Sequence, residues 1–268
     1  MIEPKSGKVK KISYGEHSEQ FGELRVPEGD GPFPVIVTIH GGFWRDTYGL
    51  DLMDDMAVDF TSHGVATWNI EYRRIGQAGG GWPGTFHDVA NATDFIHKLS
   101  KEYPLDMTRV VAIGHSAGGH LALWLGSRHL LPNTSELQLP SEARLQLKGV
   151  VSLAGVSDLE MMSDIHRLAG REANPTHDLL GGSPEEIPDR YHEASPIQNV
   201  PLGLPQILIH GALDVNVPVG MSTYYHKKAK EAGDQVKLVK LPLTEHFKVI
   251  NPQSDVWPIV LHETIQLL

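Results

Sequence analysis

Residues 110–125 read V-V-A-I-G-H-S-A-G-G-H-L-A-L-W-L. A short β-branched apolar run ends at Gly114, and a run of Leu, Ala and Trp with helical character begins after Gly119. Between them, Gly114-His115-Ser116-Ala117-Gly118 matches G-x-S-x-G, the turn that carries a nucleophile from strand to helix. A strand that turns directly into a helix forces its middle residue into a strained conformation while neighbouring chains pack close. Glycines two before and two after Ser116 remove the β-carbons that would clash. The hydroxyl is then held at a strand tip, with the N-terminal amides of the following helix aimed at the same point.

Working outward, the same strand–helix alternation recurs. On the N-terminal side, 34–39 (P-V-I-V-T-I) reads as a strand buried on both faces, and it ends in His40-Gly41-Gly42-Phe43-Trp44. A helix is expected over 50–63 with Gly64 as its stop, a strand over 65–70, a glycine-rich loop over 77–84, and a helix over 86–103. On the C-terminal side, 148–153, 206–210 and 236–241 read as strands, 221–232 as a helix closed by Gly233, and a last helix begins near 256. Residues 155–200, with Asn174-Pro175, Gly181-Gly182-Ser183-Pro184 and Ser195-Pro196, predict short helices forming a small cap or pocket wall. The segments 9–14 and 21–26 predict a hairpin at a sheet edge. Alternating strands and helices argue a mostly parallel sheet of eight strands with helices on both faces. No repeat or linker divides the chain, so one α/β domain over 1–268 is expected.

Bulk composition narrows the function. At 268 residues and 40% hydrophobic content the chain can bury a full core. A net charge of −10 with no Lys/Arg block argues against a nucleic-acid or anionic-membrane surface. With no cysteine, thiol nucleophiles, disulfides and Cys-based zinc sites are excluded. No signal-length apolar segment follows the residues at 1–8, and no run approaches the roughly 18 apolar residues of a membrane span, so a cytoplasmic protein is expected. The 15 histidines show no compact metal-ligand spacing, so no catalytic metal is expected.

A serine hydroxyl needs a base, and the base needs an orienting acid. In a parallel sheet such groups collect at the carboxyl ends of strands. After the 206–210 strand, Asp214 is the carboxylate of the loop; after 236–241, His246 is the imidazole. Asp158, just past the 148–153 strand, is a rival acid, with a helix N-cap as its alternative task. The oxyanion of an acyl-transfer intermediate needs two preorganised amides. The N–H of Ala117 supplies one and the loop after 34–39 supplies the other, from Gly42 or Phe43; spacing does not choose between them. Trp44, Tyr72, Trp82 and Phe247 sit on strand-end loops and, with His115, are candidate walls of the substrate pocket.

Taken together, His40-Gly41-Gly42-Phe43-Trp44, Gly114-His115-Ser116-Ala117-Gly118-Gly119-His120-Leu121, His210-Gly211-Ala212-Leu213-Asp214 and His246-Phe247 resemble α/β-hydrolases of the esterase/lipase type. The order Ser116, Asp214, His246 is the serine–acid–histidine order of that superfamily. Within it the chain is most similar to the branch holding kynurenine formamidase (arylformamidase) and related carboxylesterases, from Phe33 to the C-terminus. The resemblance implies a cofactor-free serine hydrolase acting on a small carboxylic ester, or alternatively an aryl formamide, and places Trp44 by the active site. Phe43 stands where hormone-sensitive-lipase-like esterases carry a third glycine, which argues against that branch. A non-catalytic binding protein on the same fold is the competing class. The expected partner is a small-molecule ester or amide, and a homodimer stays open.

Overall fold

A computed structural model describes residues 8–140 and 144–268; the N-terminal segment 1–7 and residues 141–143 of the polar loop lie outside it. Among the described residues, eight strands form one sheet in the order β1-β2-β4-β3-β5-β6-β7-β8. The strands are β1 Lys10–Ser13, β2 Phe21–Arg25, β3 Phe33–Ile39, β4 Ala66–Ile70, β5 Leu105–His115, β6 Gly149–Leu153, β7 Gln206–Gly211 and β8 Val236–Leu241. β1 and β2 pair antiparallel and β2 joins β4 antiparallel, whereas β4, β3, β5, β6, β7 and β8 are parallel neighbours.

Strand periodicity builds a core on each face. Along β3, Val35, Val37 and Ile39 point to one side and Ile36 to the other; along β5, Val110 and Ala112 oppose Val111 and Ile113. The first face is covered by α2 (Gly84–Asp94), α4 (Ala117–Ser127) and α8 (Val219–Glu231) through Phe86, Leu121 and Tyr225. The second is covered by α1 (Asp54–Ser62) and α9 (Trp257–Ile265) through Phe60, Trp257 and Val260. With both faces buried, the central strands carry near-continuous apolar runs, which is why they are legible.

Two helices differ from expectation. The 50–63 segment opens as a 3-10 turn, Leu50–Met53, before α1, and the Leu50 amide at its start is held by Glu71 Oε2 at 3.0 Å. The 86–103 segment begins earlier, at Gly84, and α2 runs on into α3 (Ile96–Leu99) through Phe95, whose backbone stays right-handed. The 155–200 region folds as α5 (Leu159–Leu168), α6 (Pro175–Leu180) and α7 (Pro188–Ala194), short helices over the carboxyl edge of the sheet. No described helix is long and apolar enough to cross a membrane.

Candidate active site

The parallel strands bring their carboxyl ends to one edge, and each candidate residue lies just past one of them. Ser116 sits between β5 and α4 with φ 55° and ψ −117°, a left-handed conformation that a non-glycine residue adopts only when its surroundings enforce it. The surroundings are explicit. A β-carbon on Gly114 would lie 2.0 Å from the Gly118 carbonyl oxygen, and one on Gly118 would lie 2.0 Å from the Ile39 carbonyl oxygen. The two motif glycines are therefore the contact surfaces between β5, α4 and β3.

Past β7, Asp214 is held on both oxygens. Oδ1 accepts the amides of Asn216 and Val217 at 2.8 and 2.9 Å. Oδ2 lies 2.6 Å from His246 Nδ1 and 3.2 Å from His210 Nε2. Burial pushes this carboxyl up, but hydrogen bonds from His210 and His246 outweigh it and hold it well below the usual carboxylate range. A carboxylate only accepts, so His246 donates from Nδ1 and keeps the lone pair on Nε2. His210 is fixed the same way: Nε2 faces the Val217 carbonyl at 2.8 Å and therefore donates, and Nδ1 accepts from Ser222 Oγ at 2.7 Å.

Ser116 and His246 line the same cavity, of about 380 Å³. Among the described residues no hydrogen bond joins Ser116 Oγ to the His246 ring. Such bonds tighten in substrate complexes. His115 bridges the two loops: its Nε2 donates to the His246 carbonyl at 2.9 Å, and the two imidazoles are 4.5 Å apart. The rival Asp158 is the N-cap of α5, accepting the Met161 amide at 3.0 Å, and is committed there.

The loop after β3 carries three consecutive left-handed residues, Gly42 (φ 112°), Phe43 (φ 50°) and Trp44 (φ 59°). It is anchored by His40, whose Nε2 meets Glu71 Oε1 at 2.8 Å and whose ring stacks on Tyr72 at 4.3 Å. Gly42 and Phe43 line the cavity. Ala117 is the first residue of α4, so its N–H has no acceptor within the helix.

The pocket walls require correction. His115 and Phe247 line the cavity, but Trp44, Tyr72 and Trp82 do not. Trp44 and Tyr72 are fully buried. The Trp44 backbone, turned left-handed, sends the indole under the loop, where Nε1 donates to His120 Nδ1 at 3.2 Å; Tyr72 reaches the His40 carbonyl with its hydroxyl at 2.9 Å. Trp82 packs on Phe86 and faces Glu136 and Arg190. The walls come instead from Tyr48 and Leu52 after the glycine loop, Asn216 beside the acid, and His166, Arg171 and Pro175 of the α5–α6 segment. Asn216 was within reach of loop spacing, two residues after Asp214. The α5–α6 residues carry no sequence signal, because their place depends on how that segment folds over the edge.

Two predictions arise here. Trp44 Nε1 gives His120 Nδ1 its donor, so His120 donates from Nε2 to the Ala194 carbonyl at 2.9 Å, tying the glycine loop, α4 and α7 together. Trp44→Phe orphans that buried nitrogen and is expected to cost about 1–3 kcal/mol in urea unfolding; a cost near zero would mean the link carries no strength. Second, burial, followed by His246, pushes His115 down to about 3, and burial pushes His120 down to about 4. In the unfolded chain both titrate near 6.5, so below that pH the unfolded state binds more protons and stability falls with pH. The urea midpoint is expected to drop between pH 7 and pH 5, at up to roughly 1.4 kcal/mol per pH unit for each ring. Asp214, with its pKa depressed, contributes only below about pH 4 and does not confound that window. A flat midpoint would refute the neutral, buried assignment.

Such a sheet, with a serine at a strained strand–helix turn and an Asp–His pair on the loops after its last two strands, defines an α/β-hydrolase of the esterase/lipase type. The BD-FAE family model matches residues 24–229, and the chain belongs to the BD-FAE family. Esterase LipC of Mycobacterium tuberculosis is 26% identical over 247 residues, covering 88% of this chain and 59% of LipC. Esterase EstD of Thermotoga maritima is 26% identical over 208 residues, covering 73% of this chain and 50% of EstD. The chain thus spans little more than half the length of these relatives. Among solved structures, a truncated carbohydrate esterase from gut microbiota superposes with a TM-score of 0.84 at 19% identity, over 99% of this chain and 98% of that one. The propionate-bound Est2 esterase of Thermogutta terrifontis gives 0.76 at 21% identity, over 99% and 94%. These structural likenesses speak to the fold.

Proposed function

We propose that the protein is a serine carboxylesterase working through Ser116, His246 and Asp214. The observation that carries the reading is the 2.6 Å contact between His246 Nδ1 and Asp214 Oδ2, on a cavity that also holds the strained Ser116. With its Nδ1 proton committed to the carboxylate, His246 offers Nε2 as general base. Ser116 Oγ attacks the ester carbonyl as its proton passes to Nε2. The developing oxyanion is met by the Ala117 amide and by an amide of the Gly42–Phe43 loop, and Asp214 stabilises the imidazolium. His246 then protonates the leaving alcohol, and water, deprotonated by His246, releases the acid. As the acyl–Ser116 bond breaks, His246 returns that proton to Ser116 Oγ, so the full cycle restores the triad and needs no cofactor. The esterases LipC and EstD support this reaction class.

The test is labelling by a fluorophosphonate, located by mass spectrometry, with turnover of a 4-nitrophenyl acyl series and of N-formylkynurenine. Labelling of Ser116 and ester turnover, both lost in Ser116→Ala, are the expected results. Formamide turnover exceeding ester turnover would move the reading to an aryl formamide hydrolase. Silence on every substrate together with no labelling would favour a binding protein.

A further inference from the structure

The cavity is charged against the grain of the chain. The protein has 33 acidic and 23 basic residues, yet among the described residues no Asp or Glu lines the cavity, whereas Arg45 and Arg171 do, together with the imidazoles of His115, His166 and His246. Asp214 stays behind His246. Arg45 is neutralised by Asp178, 2.5 Å away, but Arg171 makes no ion pair among the described residues. His166, 4% exposed, lines the same cavity, with neither ring nitrogen hydrogen-bonded. The Ala173 backbone approaches the ring but falls short of hydrogen-bond geometry at either nitrogen.

A buried imidazole without partners is costly unless something completes it, and this one sits in a cavity wall. Its ring meets the edge of Phe43 at 5.4 Å, so the polar anchor lies directly beside the proposed oxyanion loop. Burial, then Arg171 and Arg45, lower its pKa, so at neutral pH one nitrogen donates and the other accepts. A guanidinium without an ion pair and an unpartnered imidazole on one cavity wall are the chemistry that recognises a carboxylate, provided the ring turns a nitrogen toward it.

We propose that this site selects esters bearing a carboxylate, which Arg171 and His166 bind at the α5–α6 wall while the ester carbonyl lies at Ser116. The inference rests on the reading of Ser116 as nucleophile. It makes Arg171 and His166 specificity residues for that reaction.

Matched pairs that exchange a carboxylate for a methyl group test it on either side of the ester bond. For an anionic acyl group the pair is ethyl hydrogen glutarate against ethyl pentanoate. For an anionic alcohol part it is 4-acetoxybenzoate against 4-methylphenyl acetate. Each kcat/KM is divided by that ester's rate with hydroxide. At least a tenfold preference for the anionic member is expected in one arm, and that arm identifies the side. Arg171→Gln is expected to bring the ratio to within about threefold of unity through KM for the anionic ester, and Arg171→Lys to restore part of it. Equal or faster turnover of the neutral member in both arms, or a preference indifferent to Arg171→Gln, would overturn the proposal. Fluorophosphonate labelling of Ser116 in the wild-type protein separates the two failures. Labelling with no anionic preference removes this inference alone; no labelling and no turnover of any ester removes the esterase reading, and this inference with it.

Discussion

Ser116→Ala is expected to lower kcat on any good ester by about 10⁵–10⁶-fold, leaving only what binding and oxyanion amides provide without a nucleophile. The substitution is clean. Alanine keeps the β-carbon that the φ of 55° already accommodates, and Ser116 Oγ makes no hydrogen bond among the described residues that its removal would break. Thermal unfolding should therefore stay within about 4 °C of wild type, since the change carries no named route to large destabilisation. Progress curves at high enzyme concentration, with active-site titration to exclude wild-type carry-over, measure the loss. A reduction of less than tenfold would remove Ser116 from the chemistry.

Asp214→Asn should reduce kcat by about 10⁴-fold, for a reason that can be traced atom by atom. The Asn216 and Val217 amides fix which oxygen of the side chain points to the backbone, and an asparagine carbonyl would take that place. Its NH₂ would then face His246 Nδ1, where the carboxylate Oδ2 now lies at 2.6 Å. Two donors cannot share a hydrogen bond, so His246 must move its proton to Nε2, leaving no lone pair toward Ser116. The variant would have the right residues in the wrong tautomer. Because Asp214 is held well below the usual carboxylate range, its own protonation does not shape activity above about pH 5 in the wild type. Steady-state kinetics with circular dichroism as a folding control check this. A kcat within tenfold of wild type would dismiss Asp214 as the orienting acid and return Asp158 to consideration, despite its engagement with the Met161 amide.

Much of the architecture was legible because its causes are local. The buried parallel strands appear as runs such as V-I-V-T-I at 35–39, and the strained turn at Ser116 appears through glycines that nothing larger could replace. Helix limits were less legible. The 50–63 helix opens as a 3-10 turn whose first amide, that of Leu50, is held by Glu71 from the β4 end, a partner 21 residues away that no local pattern names. Pocket walls were least legible. Trp44 and Tyr72 stand at strand ends, where rings commonly line a site, yet here both turn inward to hold the glycine loop through His120 and the His40 carbonyl.

By itself the sequence determined the strand–helix alternation, the position of the tight strand–helix turn at Ser116, and the candidate acid and base, since each is a property of a few consecutive residues. The tertiary structure alone decided that Asp214 rather than Asp158 meets His246, which partners the histidine nitrogens face, and that His166 and Arg171 line the cavity. These depend on which loops pack against one another across the carboxyl edge of the sheet. That packing is set by long-range contacts, as between His115 and His246, 131 positions apart, and no local pattern encodes it.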